Sequence, residues 1–124
     1  MMENPLVIIL IHAISILPIL GIFWYLKKFP PKEINSWYGY RTPSAMRNQD
    51  TWQEANTFSA NLIFKAMLLS LIVSVLSIFL FKGEISILIS TIFMVAALFG
   101  GIIATEIRLK KLFNKDGTRK EKAL

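Results

Sequence analysis

Chemistry in this chain has to come from few residues. Between Trp37 and Asn61 two arginines, Arg41 and Arg47, stand among Tyr38, Tyr40 and Trp52, with Gly39, Thr42, Pro43 and Asn56 interspersed. A guanidinium is a rigid fork of donors that fits a phosphate or carboxylate and also stacks on aromatic rings. Such a cluster suits the binding of an anion or a carbonyl group. The same residues also read as a basic flank whose aromatics rest at a lipid surface. A lone histidine, His12, lies inside one apolar run, and Ser70 and Ser74 inside another. A histidine in that setting either relays protons or is a neutral imidazole bonded to a serine across a helix interface.

Catalysis and metal binding have little to work with. There is one His and no Cys, and no HExxH, GxSxG or Gly-rich phosphate loop occurs. Asp50 and Glu54 share a helical turn, but Asp50 reads as a helix N-cap with Gln53 as its capping-box partner. The expectation is a non-enzymatic protein without cofactor or metal.

The elements that must position these residues are membrane helices. Hydrophobic residues make up 54% of the 124 positions, more than a soluble domain of this length can bury. They fall into three runs of about 20, the number that spans a bilayer core. The fold class is therefore all-α and integral to the membrane, with three transmembrane helices near residues 6–26, 51–81 and 85–110. The first run lacks the leading positive charge and the cleavage site of a signal peptide and is read as retained. Residues 1–110 form one membrane domain, and residues 111–124 form a basic tail that frays into disorder.

The segment from Lys27 to Asn61 reads as a structured loop containing short helices. Phe29-Pro30-Pro31 ends the first helix, and Gly39 frees the backbone. Thr42-Pro43 resembles an N-cap followed by Pro at the first helical position. On the second helix Trp52, Ala55, Asn56 and Ser59 share one face, and Ser70, Ser74 and Ser77 share one further along. On the third helix Ala96, Gly100 and Ala104 recur every four residues, with Ala97 and Gly101 beside them, which is the spacing of close helix packing in lipid.

Charge sets the expected orientation. No Lys or Arg precedes the first run, six lie between Lys27 and Lys65, one lies in the turn at Lys82 and seven follow from Arg108. The positive-inside rule places the N-terminus outside, with the loop and the C-terminus in the cytoplasm. The net charge of +6 is thereby explained without nucleic acid, for which the tail has neither aromatic interleaving nor a motif.

The order Phe29-Pro-Pro-Lys-Glu-Ile-Asn35, then Tyr38-Gly-Tyr-Arg-Thr-Pro-Ser44, Met46, Trp52, Ala55 and Asn56 resembles the SdpI family of bacterial integral membrane proteins. The match covers the loop and the start of the second helix. The resemblance implies an inner-membrane immunity protein. Such a protein guards its bacterium against a secreted, membrane-active peptide toxin and signals by holding a regulatory protein at the membrane. Expected partners are then the lipid bilayer, a peptide toxin or a regulatory protein, and a second copy of the chain paired through the Ala96/Gly100/Ala104 face. The expected binding site comprises Tyr38, Gly39, Tyr40, Arg41, Thr42 and Pro43, with Trp52 and Asn56 closing it. A small oligomeric transporter or channel subunit, with His12, Ser70 and Ser74 facing one polar cavity, is the alternative. A docking partner for another membrane protein is a third reading.

Overall fold

The computed structural model describes residues 3–121 as three helices. They are α1 (Pro5–Lys28), α2 (Gln49–Leu80) and α3 (Gly83–Leu112). At 1.5 Å per residue even the 24-residue α1 reaches about 36 Å, more than a hydrocarbon core. Each helix is long and apolar enough to cross a membrane.

The ends of the helices follow from local chemistry. The Asn4 side chain accepts the Leu6 amide at 2.9 Å, and Pro5 takes the first helical position. The second helix begins two residues earlier than expected, because Asn48 and not Asp50 is its cap. Asn48 Oδ1 accepts the Thr51 amide at 2.9 Å, and Thr51 Oγ1 accepts the Asn48 amide at 3.1 Å. Asp50 is thereby free to pair with Arg119 at 2.7 Å. The turn into α3 is two residues long, with Gly83 at φ +50°.

Polarity inside and outside is inverted relative to a soluble bundle. Buried positions include His12, Ser70, Ser74, Ser77, Ser86, Ser90 and Thr105, while Leu6, Ile14, Phe79, Leu88, Ile92 and Phe99 are exposed. This pattern fits a lipid solvent, in which apolar side chains gain little from packing together and polar ones must find partners. Among the described residues no buried side-chain nitrogen or oxygen lacks a hydrogen-bond partner.

The second helix is central. It packs along both neighbours, whereas α1 and α3 touch each other least. Ile16, Ile63 and Met67 form its core with α1, and Ala97 and Leu98 of α3 pack against them. Gly101 is the closest approach: a Cβ there would stand 2.4 Å from Ile63 Cγ1. The packed small-residue face is thus Ala97, Gly101 and the buried Thr105. Ala96 and Gly100 are exposed, one helical position out of register with that contact.

Two further expectations change. The segment between α1 and α2 holds one hydrogen-bonded turn at Thr42–Met46 and bends elsewhere, not short helices. The start of the tail is folded. Beyond α3 the chain reverses at Asn114–Thr118, the Lys120 amide donates to the Leu112 carbonyl at 2.8 Å, and Phe113 pairs with Arg119 in a single β-bridge. Arg119 to Asp50, Asn48 Nδ2 to the Gly117 carbonyl at 2.7 Å and Arg47 to the Asn114 carbonyl at 3.2 Å tie this hairpin to the loop side of α2. Composition alone reads these residues as solvated because their partners lie some seventy positions away. The last part of the expected disordered tail, residues 122–124, lies outside the described residues.

Candidate functional site

The loop is built on α2 by side chains that satisfy its backbone. Asn35 Oδ1 accepts the amides of Trp37 and Tyr38 at 2.8 and 2.9 Å, which closes a tight turn. Gly39 then passes over α2 at φ +106°. A Cβ at this position would meet Asn56 Oδ1 at 2.5 Å and Pro31 Cγ at 2.6 Å, so only glycine fits. The Asn56 amide acts like a strand edge: its Oδ1 accepts the Tyr40 amide at 2.6 Å, and its Nδ2 donates to the carbonyls of Tyr40 at 3.2 Å and Trp52 at 3.0 Å. Trp52 is fully buried beneath the loop and donates from Nε1 to the Pro31 carbonyl at 2.8 Å.

From Tyr40 onward the loop turns toward α3. Tyr40 Oη donates to Glu106 Oε1 at 2.6 Å, Thr42 Oγ1 donates to the same oxygen at 2.7 Å, and Ser44 donates to Oε2. Three hydroxyls thus converge on one carboxylate at the loop-side end of α3. Burial, then the Glu106 carboxylate, push the Tyr40 phenol up from its ordinary pKa, so it stays a donor. Thr42 also starts the turn, with its carbonyl accepting the amides of Ala45 and Met46 at 3.0 and 3.1 Å.

This framework roofs a groove of about 1050 Å³ on the loop side of the bundle. Its walls are Pro18, Ile22 and Tyr25 of α1 and Leu98 and Ile102 of α3, and its floor includes Ser59 and Ala60 of α2. Gly21 opens the α1 wall, since no atom lies within 4 Å of a Cβ placed on it. The groove is apolar along the helices and polar at the roof, where Tyr38, Arg41 and Thr42 meet it. Arg41 is exposed and donates from one guanidinium nitrogen to the Ser36 carbonyl. That bond aims the fork and leaves its other donors for a ligand.

Of the eight expected binding residues, Tyr38, Gly39, Tyr40, Arg41, Thr42 and Asn56 line the groove. Pro43 belongs to the turn behind it. Trp52, expected to close the site, is instead a buried prop for Pro31 and touches no ligand space, because its indole N–H is consumed by the loop backbone. Neither Arg41 nor Arg47 stacks on the loop aromatics. The cation–ring contacts among the described residues belong to Lys27 on Phe64, Lys28 on Trp24, Arg108 on Phe58 and Arg119 on Phe113. Sequence reasoning missed Glu106 and Gly21. The first acid after the third apolar run was the available signal for Glu106, whereas nothing local marks Gly21.

The intramembrane polar residues form a separate knot toward the other end of the bundle. His12 Nδ1 lies 2.6 Å from Ser74 Oγ and 3.1 Å from Ser90 Oγ, and Nε2 lies 3.2 Å from Ser86 Oγ. Ser86 donates its own proton to the Gly83 carbonyl at 2.7 Å, which leaves its oxygen to accept from Nε2–H. His12 thereby joins side chains of all three helices. Ser70 donates to the Ala66 carbonyl of its own helix at 2.9 Å. It borders the same internal space, which is only about 10 Å³, the least that one water requires.

Residues 32–105 match the SdpI/YfhL protein family. The chain is 38% identical over 92 residues to a protein of Bacillus subtilis (strain 168) described as uncharacterized protein YfhL, covering 74% of this chain and 79% of that one. No solved structure matches the chain. The matched region begins at Lys32 and ends at Thr105, taking in most of the loop, all of α2 and most of α3, while α1 lies before it. A chain with this loop, this topology and this likeness belongs to the SdpI/YfhL protein family.

Proposed function

We propose that this protein is a non-enzymatic immunity protein of the bacterial inner membrane that binds a membrane-active peptide in the groove between α1 and α3. The supporting observation is the form of that groove, with apolar walls on two membrane-spanning helices and an exposed Arg41 guanidinium at the rim. A peptide that partitions into lipid carries apolar side chains together with backbone carbonyls or a terminal carboxylate. The helix walls take the former, and the Arg41 fork takes the latter. The charge distribution supports an orientation with the loop and the C-terminal hairpin in the cytoplasm and the N-terminus outside.

Two substitutions test the reading: Gly21 lies outside the loop, and Arg41 contributes to it only an exposed bond to the Ser36 carbonyl. Gly21→Leu fills the open wall, and Arg41→Ala removes the rim cation. In a deletion host complemented with each variant and challenged with membrane-active peptides secreted by related strains, both are expected to abolish the protection that the wild type restores. Membrane levels and thermal stability should be unchanged. Full protection by Gly21→Leu would sink the groove as the binding site. A wild type that protects against no such peptide would sink the immunity reading itself.

A further inference from the structure

We infer that the C-terminal hairpin completes a binding site for the phosphate of an anionic phospholipid, distinct from the groove and independent of its reading. Four cationic side chains from four stretches of chain converge on one pocket of about 580 Å³. They are Arg47 of the loop, Lys110 of the last turn of α3, Lys115 at the hairpin tip and Lys120 on the returning strand. Phe113 and Asn114 form the rest of its lining. The pocket exists only because the tail folds back. Lys120 Nζ donates to the Lys110 carbonyl at 2.7 Å, and Arg47 donates to the Asn114 carbonyl at 3.2 Å. Those two bonds hold two of the cations in place.

Four acids of this end hold other partners, Arg47 acts on Glu106 and Asp116 through charge at longer range, and Glu121 beside Lys120 makes no ion pair among the described residues. Glu54 pairs with Arg108 at 2.6 Å, Asp50 with Arg119 at 2.7 Å, and Glu106 accepts three hydroxyls. Asp116 accepts the Thr118 hydroxyl at 2.6 Å and the Thr118 amide at 3.0 Å. Among the described residues none of the four pocket cations has an ion-pair partner. Convergent like charges repel one another, and a multiply accepting anion between them removes that cost. Lys110 belongs to the last turn of a membrane-spanning helix, and basic side chains at such a helix end attract the phosphates of anionic headgroups. Inorganic phosphate presents the same anionic oxygens but is not concentrated at the membrane surface where this helix ends.

The test is native mass spectrometry of the full chain in a neutral detergent, titrated with short-chain phosphatidylglycerol, phosphatidylcholine or inorganic phosphate. The variants are Lys110→Gln/Lys115→Gln, whose side chains support no part of the hairpin, and the wild type. Phosphatidylglycerol is expected to bind the wild type, and the double variant about thirty-fold more weakly at unchanged thermal stability. Phosphatidylcholine should not compete. Equal retention of phosphatidylglycerol by the double variant overturns the site. Equal binding of phosphatidylcholine overturns its anion selectivity. Inorganic phosphate that binds as tightly and displaces the lipid overturns the lipid as its ligand.

Discussion

Tyr40 Oη donates to Glu106 Oε1 over 2.6 Å, joining the loop to the end of α3 across 66 positions of sequence. Thr42 and Ser44 donate to the same carboxylate. The residues that give the loop its recognisable order, Tyr40 to Ser44, are therefore bound less to each other than to one acid far along the chain.

This link makes stability depend on alkaline pH. The phenol of Tyr40 is raised in the folded protein above its ordinary value near 10, by burial first and Glu106 second. A group raised on folding contributes stability that is fully present below its unfolded pKa and is lost as pH rises through the folded one. The melting temperature in detergent is expected to be flat in this respect below pH 10 and to fall above it. Tyr40→Phe should start lower and lose that part of the alkaline slope. An unchanged slope in Tyr40→Phe would show that the phenol is not responsible.

Glu106→Ala strands three hydroxyls at once. Hydrogen bonds to a charged acceptor are each worth about 1.5–3 kcal/mol, and here the hydroxyls can turn partly toward solvent, so a loss of about 2 kcal/mol is expected. Glu106→Gln keeps one acceptor oxygen and should lose about half as much. Equilibrium unfolding in detergent, read at the aromatic signal of the loop, orders the two variants, and the reverse order would contradict the hydroxyl cluster.

Gly39→Ala is expected to be the most damaging single methyl in the loop. It forces φ +106° on a residue with a side chain and drives that Cβ to 2.5 Å from Asn56 Oδ1. Strain and overpacking together should cost about 3 kcal/mol or more. Limited proteolysis between α1 and α2 would register the release of the loop. A variant as resistant as the wild type would mean that the crossing over Asn56 is not as tight as the geometry states.

Trp52→Phe and Arg119→Ala form a contrasting pair. The first leaves the Pro31 carbonyl without its buried donor and should cost about 1–3 kcal/mol. The second removes an ion pair with Asp50, whose side chain is 52% exposed, and should cost less than about 1 kcal/mol. Thermal unfolding of both in one detergent separates a buried neutral bond from an exposed charged one. A larger loss at Arg119 would assign the hairpin a greater share of the fold than its exposure implies.

The helices were legible because a bilayer imposes length and hydropathy on any segment that crosses it. The shared face of Trp52, Ala55, Asn56 and Ser59 was legible for the same kind of reason, since helical spacing is local. The role of Trp52 was not. An indole beside arginines looks like a contact residue until the backbone carbonyl that takes its N–H is known. The folded hairpin was hidden in a similar way, since Asn48, Asp50 and Arg47 give no sign that they serve Gly117, Arg119 and Asn114. Local rules place elements well, whereas partners tens of residues apart are fixed only by the packing that brings them together.

His12 is the first member of its knot to be synthesised, and Ser74, Ser86 and Ser90 follow it by 62, 74 and 78 positions. None of its side-chain partners comes from α1 itself, so the imidazole is satisfied only once α2 and α3 are in place. A chain cut short before Ser86 never supplies the acceptor for Nε2. Unfinished molecules therefore differ from finished ones in the chemistry that α1 shows to the lipid, as well as in length.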